Sequence, residues 1–244
     1  MSELFSIQLQ NRQQQGRDGV WLDLPTTTEQ VQAALRQIGI SSDNPQGLFI
    51  SGYFAEEEKR FAIPYNMVLA SNVDELNFLA SRLETLSTGE RAELNAALQV
   101  PQSELSSIGR ITDFPENVDY YVHLPDVRGP AQLGDYYLNR SGMVDMPEEW
   151  KGGIDMAQFG RYVTQQEQGA FTQYGYLVKS GDEWQKVYEG QPVPEEYRVL
   201  SFPASEILRD AANIPPPVQS TTEQQKVIPI ILNGKDSTER MKEI

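Results

Sequence analysis

The chain has 244 residues, no cysteine, and 35 acidic against 20 basic residues, which gives a formal net charge of −15. The absence of cysteine excludes disulfides and thiolate chemistry, and this much negative charge opposes direct contact with nucleic acid or an anionic membrane. No apolar run reaches the ~18 residues of a membrane span, and no secretory signal pattern opens the chain, so we expect a cytoplasmic protein.

The negative charge is concentrated in the middle of the chain. Residues 41–160 contain 19 acidic and 8 basic residues, whereas residues 1–40 contain 4 and 3. Net charge alone indicates little more than a soluble protein, because like charge keeps molecules apart in solution. The uneven distribution is more informative, since an acidic region favours cationic partners.

Residues 1–62 are predicted to form a small α+β unit, an α/β sandwich-like domain. Alternating apolar residues predict strands at residues 4–9, 19–24 and 48–54. Between the second and third strands, apolar residues at helical spacing predict a helix. One of three consecutive threonines caps its start, and Gly39 ends it.

Residues 63–101 are predicted to form a helical unit. The segment Ser71–Glu75 places a capping residue and two acids at a helix start, where the helix dipole favours negative charge. Ser87 and Glu90 have the spacing of a capping box and predict a second helix. Because only a few residues join the two helices, we expect them to pack as a hairpin.

Residues 102–190 are predicted to form a third unit of mixed α+β structure. Its predicted elements are a short helix over residues 105–111, a strand at 118–122, helices at 133–138 and 154–165, and a closing hairpin of residues 170–178 and 184–188 that turns at 180–182. Residues 191–244 form an extension that contains the run Pro215–Pro217. We expect a proline-rich linker and a weakly ordered tail there.

The sequence lacks the motifs of catalysis and cofactor binding. It has no glycine-rich phosphate loop, no nucleophile elbow and no paired-histidine helix. His123 is the single histidine, and one histidine without cysteine does not make a common zinc site. The adjacent acids at residues 56–58, 74–75 and 148–149 lack the loop pattern of a calcium site. We therefore predict a protein that is not an enzyme and that uses no cofactor and no metal.

Three stretches occur in an order and spacing that resemble one known family. They are Gly19–Pro25 leading into Val31–Gly39, then Asn72–Ala80, then Leu133–Tyr137 followed by Ile154–Arg161 and Gly169–Thr172. Together they resemble the ArdA antirestriction family, carried on conjugative elements, over about residues 3–178. The third stretch corresponds to the family's antirestriction motif, and its residues here include Ile154, Asp155, Phe159, Gly160 and Arg161.

The resemblance implies an elongated α+β chain of three small domains with a C-terminal tail, paired through the third domain into a homodimer. It implies a non-catalytic DNA mimic that fills the DNA-binding groove of type I restriction–modification enzymes and does not itself bind nucleic acid. Two alternatives stay open. One is an acidic interaction protein of the same fold that binds another cationic partner and regulates DNA transfer. The other is a carboxylate-dependent hydrolase.

The resemblance also implies that surface carboxylates stand where DNA phosphates would. The candidates are Asp43, Glu56, Glu57, Glu58, Asp74, Glu75, Glu84, Glu90, Glu93, Glu104, Asp113, Glu116, Asp119, Asp126, Asp135, Asp145, Glu148, Glu149 and Asp155. Lysine at five of these positions is expected to weaken inhibition and to leave the fold intact: Asp74, Glu75, Asp119, Asp126 and Asp155.

Overall fold

The structure is a computed structural model that describes residues 3–14, 18–41, 46–56, 61–101 and 103–200. All of these belong to the unit that spans Met1–Ala212. Three of the predicted surface acids (Asp43, Glu57 and Glu58) and the predicted tail from residue 201 onward lie outside the described residues. Within the described part the fold is α+β, as predicted, with two three-stranded antiparallel sheets.

The first sheet confirms the three strands that alternation predicts. Its strands are β1 (Phe5–Asn11), β2 (Val20–Leu24) and β3 (Leu48–Phe54). All pairings are antiparallel and the spatial order is β2-β1-β3, with an irregularity in register between Gln8 and Leu9. Alternate residues such as Ile7 and Leu9 are completely buried, so one face of the sheet covers the core and the other is open.

The first helix, α1 (Thr28–Gln37), also begins and ends as predicted. The Thr27 side chain accepts the backbone N–H of Gln30, and the Gln30 side chain accepts the N–H of Thr27 in return. This capping box satisfies backbone donors that the first turn leaves free. Gly39 follows the helix with φ +68°, a conformation that side chains with a Cβ rarely adopt.

The middle of the chain is helical, as predicted. It contains α2 (Tyr65–Leu69), α3 (Val73–Glu84), α4 (Thr88–Gln99) and the short α5 (Ile108–Thr112). Capping boxes at Asn72 and Ser87 start α3 and α4. The expected α3–α4 hairpin is wrong, because among the helices α3 packs mainly against α5, while α4 lies against the second sheet. Helix α3 is buried around most of its circumference and so needs neighbours on several sides.

The second sheet is built from β4 (Tyr121–Leu124), β5 (Ala170–Thr172) and β6 (Gly175–Lys179) in the order β4-β6-β5. Between β4 and β5 lie α6 (Pro130–Asp135), a π-helical turn (Tyr136–Arg140), α7 (Glu148–Lys151) and α8 (Met156–Glu167). The predicted closing hairpin is wrong in the position of its turn. The chain turns at residues 173–174, where β5 pairs with β6, and not at residues 180–182. The strand predicted from residue 118 begins at Tyr121 instead, because residues 118–120 form a 3₁₀ turn.

Residues 180–200 form a segment that we call the C-terminal strap. Its residues 184–188 were predicted as a strand, but their backbone is bonded to side chains instead. Asn117 donates from Nδ2 to the Gln185 carbonyl at 3.0 Å and accepts the Gln185 N–H at 2.7 Å. Asp113 accepts the N–H of Tyr188 at 2.6 Å. These bonds occupy the backbone groups that a strand would offer to a neighbour.

The far end of the strap corrects the expectation of a loose tail from residue 191. Val199 and Leu200 are buried, and both donate their backbone N–H to the Asp74 carboxylate, at 2.7 and 2.8 Å. The ring of Tyr197 contacts Phe78 of α3, with ring centroids 4.7 Å apart. Residues 191–200 are therefore part of the packed fold.

One apolar cluster runs through most of the described chain. It includes Leu4 of the first predicted unit, Leu79 of the second, Leu177 of the third and Leu200 of the strap. A smaller cluster of Val127, Leu133 and Tyr176 lies beneath α6 and α8. The division at residues 62, 101 and 190 into three domains stays a prediction. Among the described helices, none is long and apolar enough to cross a membrane.

Candidate acidic interaction surface

The structure separates the predicted surface acids into classes of exposure. Exposed acids are Glu56, Asp119, Asp126, Asp145, Glu148, Glu149 and Asp155. Half-buried acids are Glu75, Glu84, Glu90, Glu93, Glu104, Glu116 and Asp135. The remaining two described acids, Asp74 and Asp113, are buried. Carboxylates available to a partner are therefore fewer than the sequence implied.

Asp74 and Asp113 are not part of any surface, and that prediction is wrong for both. Their side chains are 7% and 0% exposed, and each accepts backbone N–H groups of the strap. Burial raises the pKa of both carboxyls, although the hydrogen bonds from the strap act in the opposite direction. Lysine at position 74 would remove the oxygen that accepts both strap N–H groups and would bury a cation, so we expect this substitution to destabilise the fold.

Several half-buried acids are neutralised by bases inside the fold. Arg82 pairs with Glu116, and Arg110 lies 2.5 Å from Glu104 through its Nη1 atom. Glu104 also accepts from Lys179 Nζ at 3.0 Å, and these contacts lower the pKa of Glu104. The charges of these acids are compensated within the protein, so they add little to the external field.

The exposed acids between residues 119 and 149 are mostly uncompensated. Among the described residues, four of them form no ion pair with a base: Asp119, Asp126, Asp145 and Glu149. Two neighbouring bases are engaged locally, since Arg140 pairs with Asp135 at 2.7 Å and Lys151 with Glu148 at 2.6 Å, whereas Arg128 is exposed and forms no ion pair within the described part of the chain. Negative charge at these four positions is therefore not neutralised by a base of the described chain.

Glu93 of α4 contributes less negative charge than an ordinary, fully ionised glutamate. Its Oε1 atom is buried and has no hydrogen-bond partner among the described residues. Burial, together with the neighbouring charges of Glu90 and Asp119, raises its pKa to about 8. At neutral pH this carboxyl therefore carries less negative charge than an exposed glutamate.

The residues of the antirestriction motif lie in and just before α8, and several of them have structural roles. Asp155 caps the helix by accepting the N–H groups of Ala157 and Gln158, at 2.9 and 3.0 Å. Ile154 and Phe159 are half-buried, while Arg161 is exposed.

Gly160 is buried where α8 crosses α6. A Cβ at Gly160 would lie 1.8 Å from the Pro130 carbonyl oxygen. Across the same contact, a Cβ at Gly134 would lie 2.1 Å from the Met156 carbonyl oxygen. The two helices thus touch backbone to backbone, and only glycine permits this approach.

The single histidine also has a structural role. His123 Nε2 lies 2.9 Å from the Tyr174 carbonyl oxygen, and because a carbonyl only accepts, this nitrogen carries the proton. The bond ties β4 to the turn between β5 and β6. In the described parts of the chain, no three histidine or acidic side chains are grouped to hold a metal ion.

A cavity of about 720 Å³ lies between α3, α5 and the strap. Its wall includes Phe78 and Tyr188, whose rings meet edge to face at 4.9 Å. The acids at its edge are already engaged, since Asp74 binds the strap backbone and Glu189 pairs with Arg110. The sequence gives no sign of this cavity, because the strap residues that line it have the pattern of a strand and a tail.

The structure defines an acidic α+β protein with exposed, unpaired carboxylates at four positions between residues 119 and 149. A family model described as antirestriction protein (ArdA) matches residues 15–178, about two thirds of the chain. The chain therefore belongs to the ArdA family of antirestriction proteins, which confirms the resemblance seen in the sequence. Comparison with curated proteins gives no match.

Proposed function

We propose that this protein is a non-catalytic DNA mimic that inhibits type I restriction–modification enzymes. The observation that carries the proposal is the set of exposed, unpaired acids Asp119, Asp126, Asp145 and Glu149. Duplex DNA presents one negative charge per ~1.7 Å of axis, and proteins that bind it neutralise this charge with lysine and arginine. Carboxylates held on a folded surface engage the same cations and exclude DNA from the groove.

The mode of action is competition, so it needs neither a catalytic residue nor a cofactor. Charge complementarity also accelerates the encounter with a cationic groove at low salt. We place this action in the cytoplasm, where a restriction enzyme meets incoming DNA. Family membership in an antirestriction group supports the restriction enzyme as the target.

The proposed active form is a homodimer, which doubles the number of carboxylates presented along one two-fold assembly. The most exposed large apolar side chains described in the third predicted unit support a contact there: Met143 at 76% exposure, Trp150 at 69% and Tyr162 at 58%. Sedimentation of the full chain tests this proposal. A monomer at the concentration that inhibits would contradict the dimer and leave the mimicry proposal standing.

The direct test adds the purified chain to a type I restriction enzyme and its DNA, and follows cleavage as salt is raised. We expect protection at low salt that weakens steeply with ionic strength, and no binding of labelled DNA to the protein alone. Protection that depends on DNA binding would refute the mimic. Absence of protection, together with salt-sensitive binding to another DNA-binding protein, would favour the alternative of a different cationic partner.

A further inference from the structure

The open face of the first sheet carries an ordered arrangement of side chains that the acidic surface does not explain. In one row across the strands, Asp23 of β2 and Phe54 of β3 both pair with Ser6 of β1. In the next row, Trp21 and Gly52 both pair with Gln8. In β1 and β2 these residues alternate with buried ones, so the two rows lie on the face that points away from the core.

Two aromatic rings are displayed on this face. Trp21 is 50% exposed and Phe54 is 54% exposed, and their centroids lie 6.5 Å apart in an edge-to-face contact. A Cβ at Gly52 would approach Trp21 Cη2 to 3.0 Å, so the missing side chain leaves room for the indole. Exposed aromatic rings held in one place are typical of interaction sites, where tryptophan is over-represented.

The charge of this face selects the kind of partner. The three strands contain no lysine or arginine, and Asp23 is their one charged residue. Asp23 stands two residues after Trp21 on the same strand, so the two side chains lie about 7 Å apart along the face. One carboxylate oxygen of Asp23 accepts the Ser6 hydroxyl at 2.6 Å, which orients the group.

We infer that this face binds an arginine side chain of the cationic protein that the acidic surface engages. A guanidinium is planar, stacks on aromatic rings and donates paired hydrogen bonds to a carboxylate, whereas an ammonium does not combine these contacts. The guanidinium would lie over the Trp21 indole and donate to Asp23. A second copy of this chain is a poorer occupant, because a two-fold contact of this face would bring two Asp23 carboxylates into one interface.

The inference rests on the proposed function for the identity of the partner, so its first test does not use that partner. The full chain, labelled with ¹⁵N, is titrated with capped hexa-arginine and, separately, hexa-lysine peptides. We expect the indole N–H signal of Trp21 to shift, with an affinity for the arginine peptide at least about 3-fold higher than for the lysine peptide.

Two pairs of variants make this test specific. Asp23→Asn should weaken the binding reported by Trp21 about 3- to 10-fold, whereas Asp18→Asn removes another exposed acid of the same predicted unit and should change it less than about 2-fold. Trp21→Phe keeps a ring and Trp21→Leu keeps only apolar area, so inhibition should fall about 5- to 30-fold in Trp21→Leu and less in Trp21→Phe. Thermal denaturation verifies that each variant is folded.

The outcomes separate this inference from the proposed function. An unshifted Trp21 indole, or equal effects of Asp23→Asn and Asp18→Asn, overturns the arginine site. Full inhibition by Trp21→Leu also overturns it while the mimicry proposal survives. A wild-type protein that fails to inhibit, yet shows the arginine-selective shift at Trp21, leaves the site standing and refutes the proposed target.

Discussion

The Asp74 carboxylate accepts the backbone N–H of Leu200 at 2.8 Å, joining two residues 126 positions apart in the chain. The same oxygen also accepts the N–H of Val199, and Asn77 one turn along α3 donates to the Tyr197 carbonyl at 2.9 Å. A row of polar side chains on a buried helix face thus holds the end of the strap. The sequence alone suggests Asp74 as a surface charge, but in the structure it attaches the end of the strap to α3.

This role predicts how substitutions at Asp74 affect stability. Asp74→Asn keeps an oxygen acceptor and removes a buried charge, so the free energy of unfolding should stay within about 1 kcal/mol of wild type. Asp74→Ala leaves two buried N–H groups without an acceptor and should lower it by about 2–4 kcal/mol. Urea denaturation of the full chain measures both. Equal stability of the two variants would contradict the role of Asp74 in attaching the strap to α3.

The elements that sequence predicts well depend on neighbours in the chain. The capping boxes at Asn72 and Ser87 and the alternation in β1 involve residues within a few positions of one another. The strap depends on contacts between Asp113 and Tyr188 or Asn117 and Gln185, about 70 positions apart, and no local pattern reports them. Its backbone bonds go to side chains, which leaves no strand signature.

Exposure of individual acids was the weakest part of the site prediction, although one signal was present. Asp74, Asn77 and Phe78 follow helical spacing on the same face of α3, and polar residues on a buried helix face are normally hydrogen-bonded. Glu75, the next residue, is only half-buried, and its carboxylate accepts the Asn72 N–H in the capping box. In β2, Trp21 alternates with the buried Leu22 and Leu24, so the same kind of local pattern bears on its exposure.

The α6–α8 contact predicts that the motif glycine is required for folding. A methyl group at Gly160 would clash with the Pro130 carbonyl, so Gly160→Ala should lower the free energy of unfolding by about 1–3 kcal/mol or more. Gly152→Ala is a matched control, because its backbone is right-handed helical and no described residue beyond its chain neighbours comes within 4 Å of where the methyl group would stand. Thermal denaturation of both variants is the measurement. Similar melting temperatures would mean that the helices do not touch as described.

The raised pKa of Glu93 predicts a pH dependence with a definite sign. Its pKa is about 8 in the fold and close to the ordinary value of 4.5 in the unfolded chain, so the folded state holds a proton that the unfolded state releases between these values. This contribution to stability is complete below pH 4.5 and is lost as pH rises to 8. Urea denaturation should show a smaller loss of stability between about pH 6 and 8.5 in Glu93→Gln than in wild type.

A control and a direct titration make the Glu93 prediction specific. Glu149→Gln removes an exposed acid and should leave the pH dependence of stability as in wild type. Carboxyl ¹³C resonances of the labelled chain report the titration itself, and one glutamate should titrate near pH 8. If every glutamate titrates below about pH 6, the Glu93 carboxyl is solvated and its pKa is not raised to about 8.

The mimicry proposal makes its sharpest prediction through charge position at constant net charge. The central variant neutralises the unpaired exposed acids (Asp119→Asn, Asp126→Asn, Asp145→Asn and Glu149→Gln), and the control variant neutralises four other exposed acids (Asp18→Asn, Glu183→Gln, Glu195→Gln and Glu196→Gln).

Both variants lose the same formal charge, so any difference in inhibition between them is due to the positions of the neutralised acids. Loss of up to about 1 kcal/mol for each exposed pair predicts inhibition about 10- to 100-fold weaker in the central variant, with a flatter dependence on salt. The control variant should stay within about 3-fold of wild type. Cleavage of DNA by a type I enzyme, measured over a salt series, compares the two. Equal losses in both variants would show that the acids act only through total charge, and a partner groove would then have no defined contact with residues 119–149.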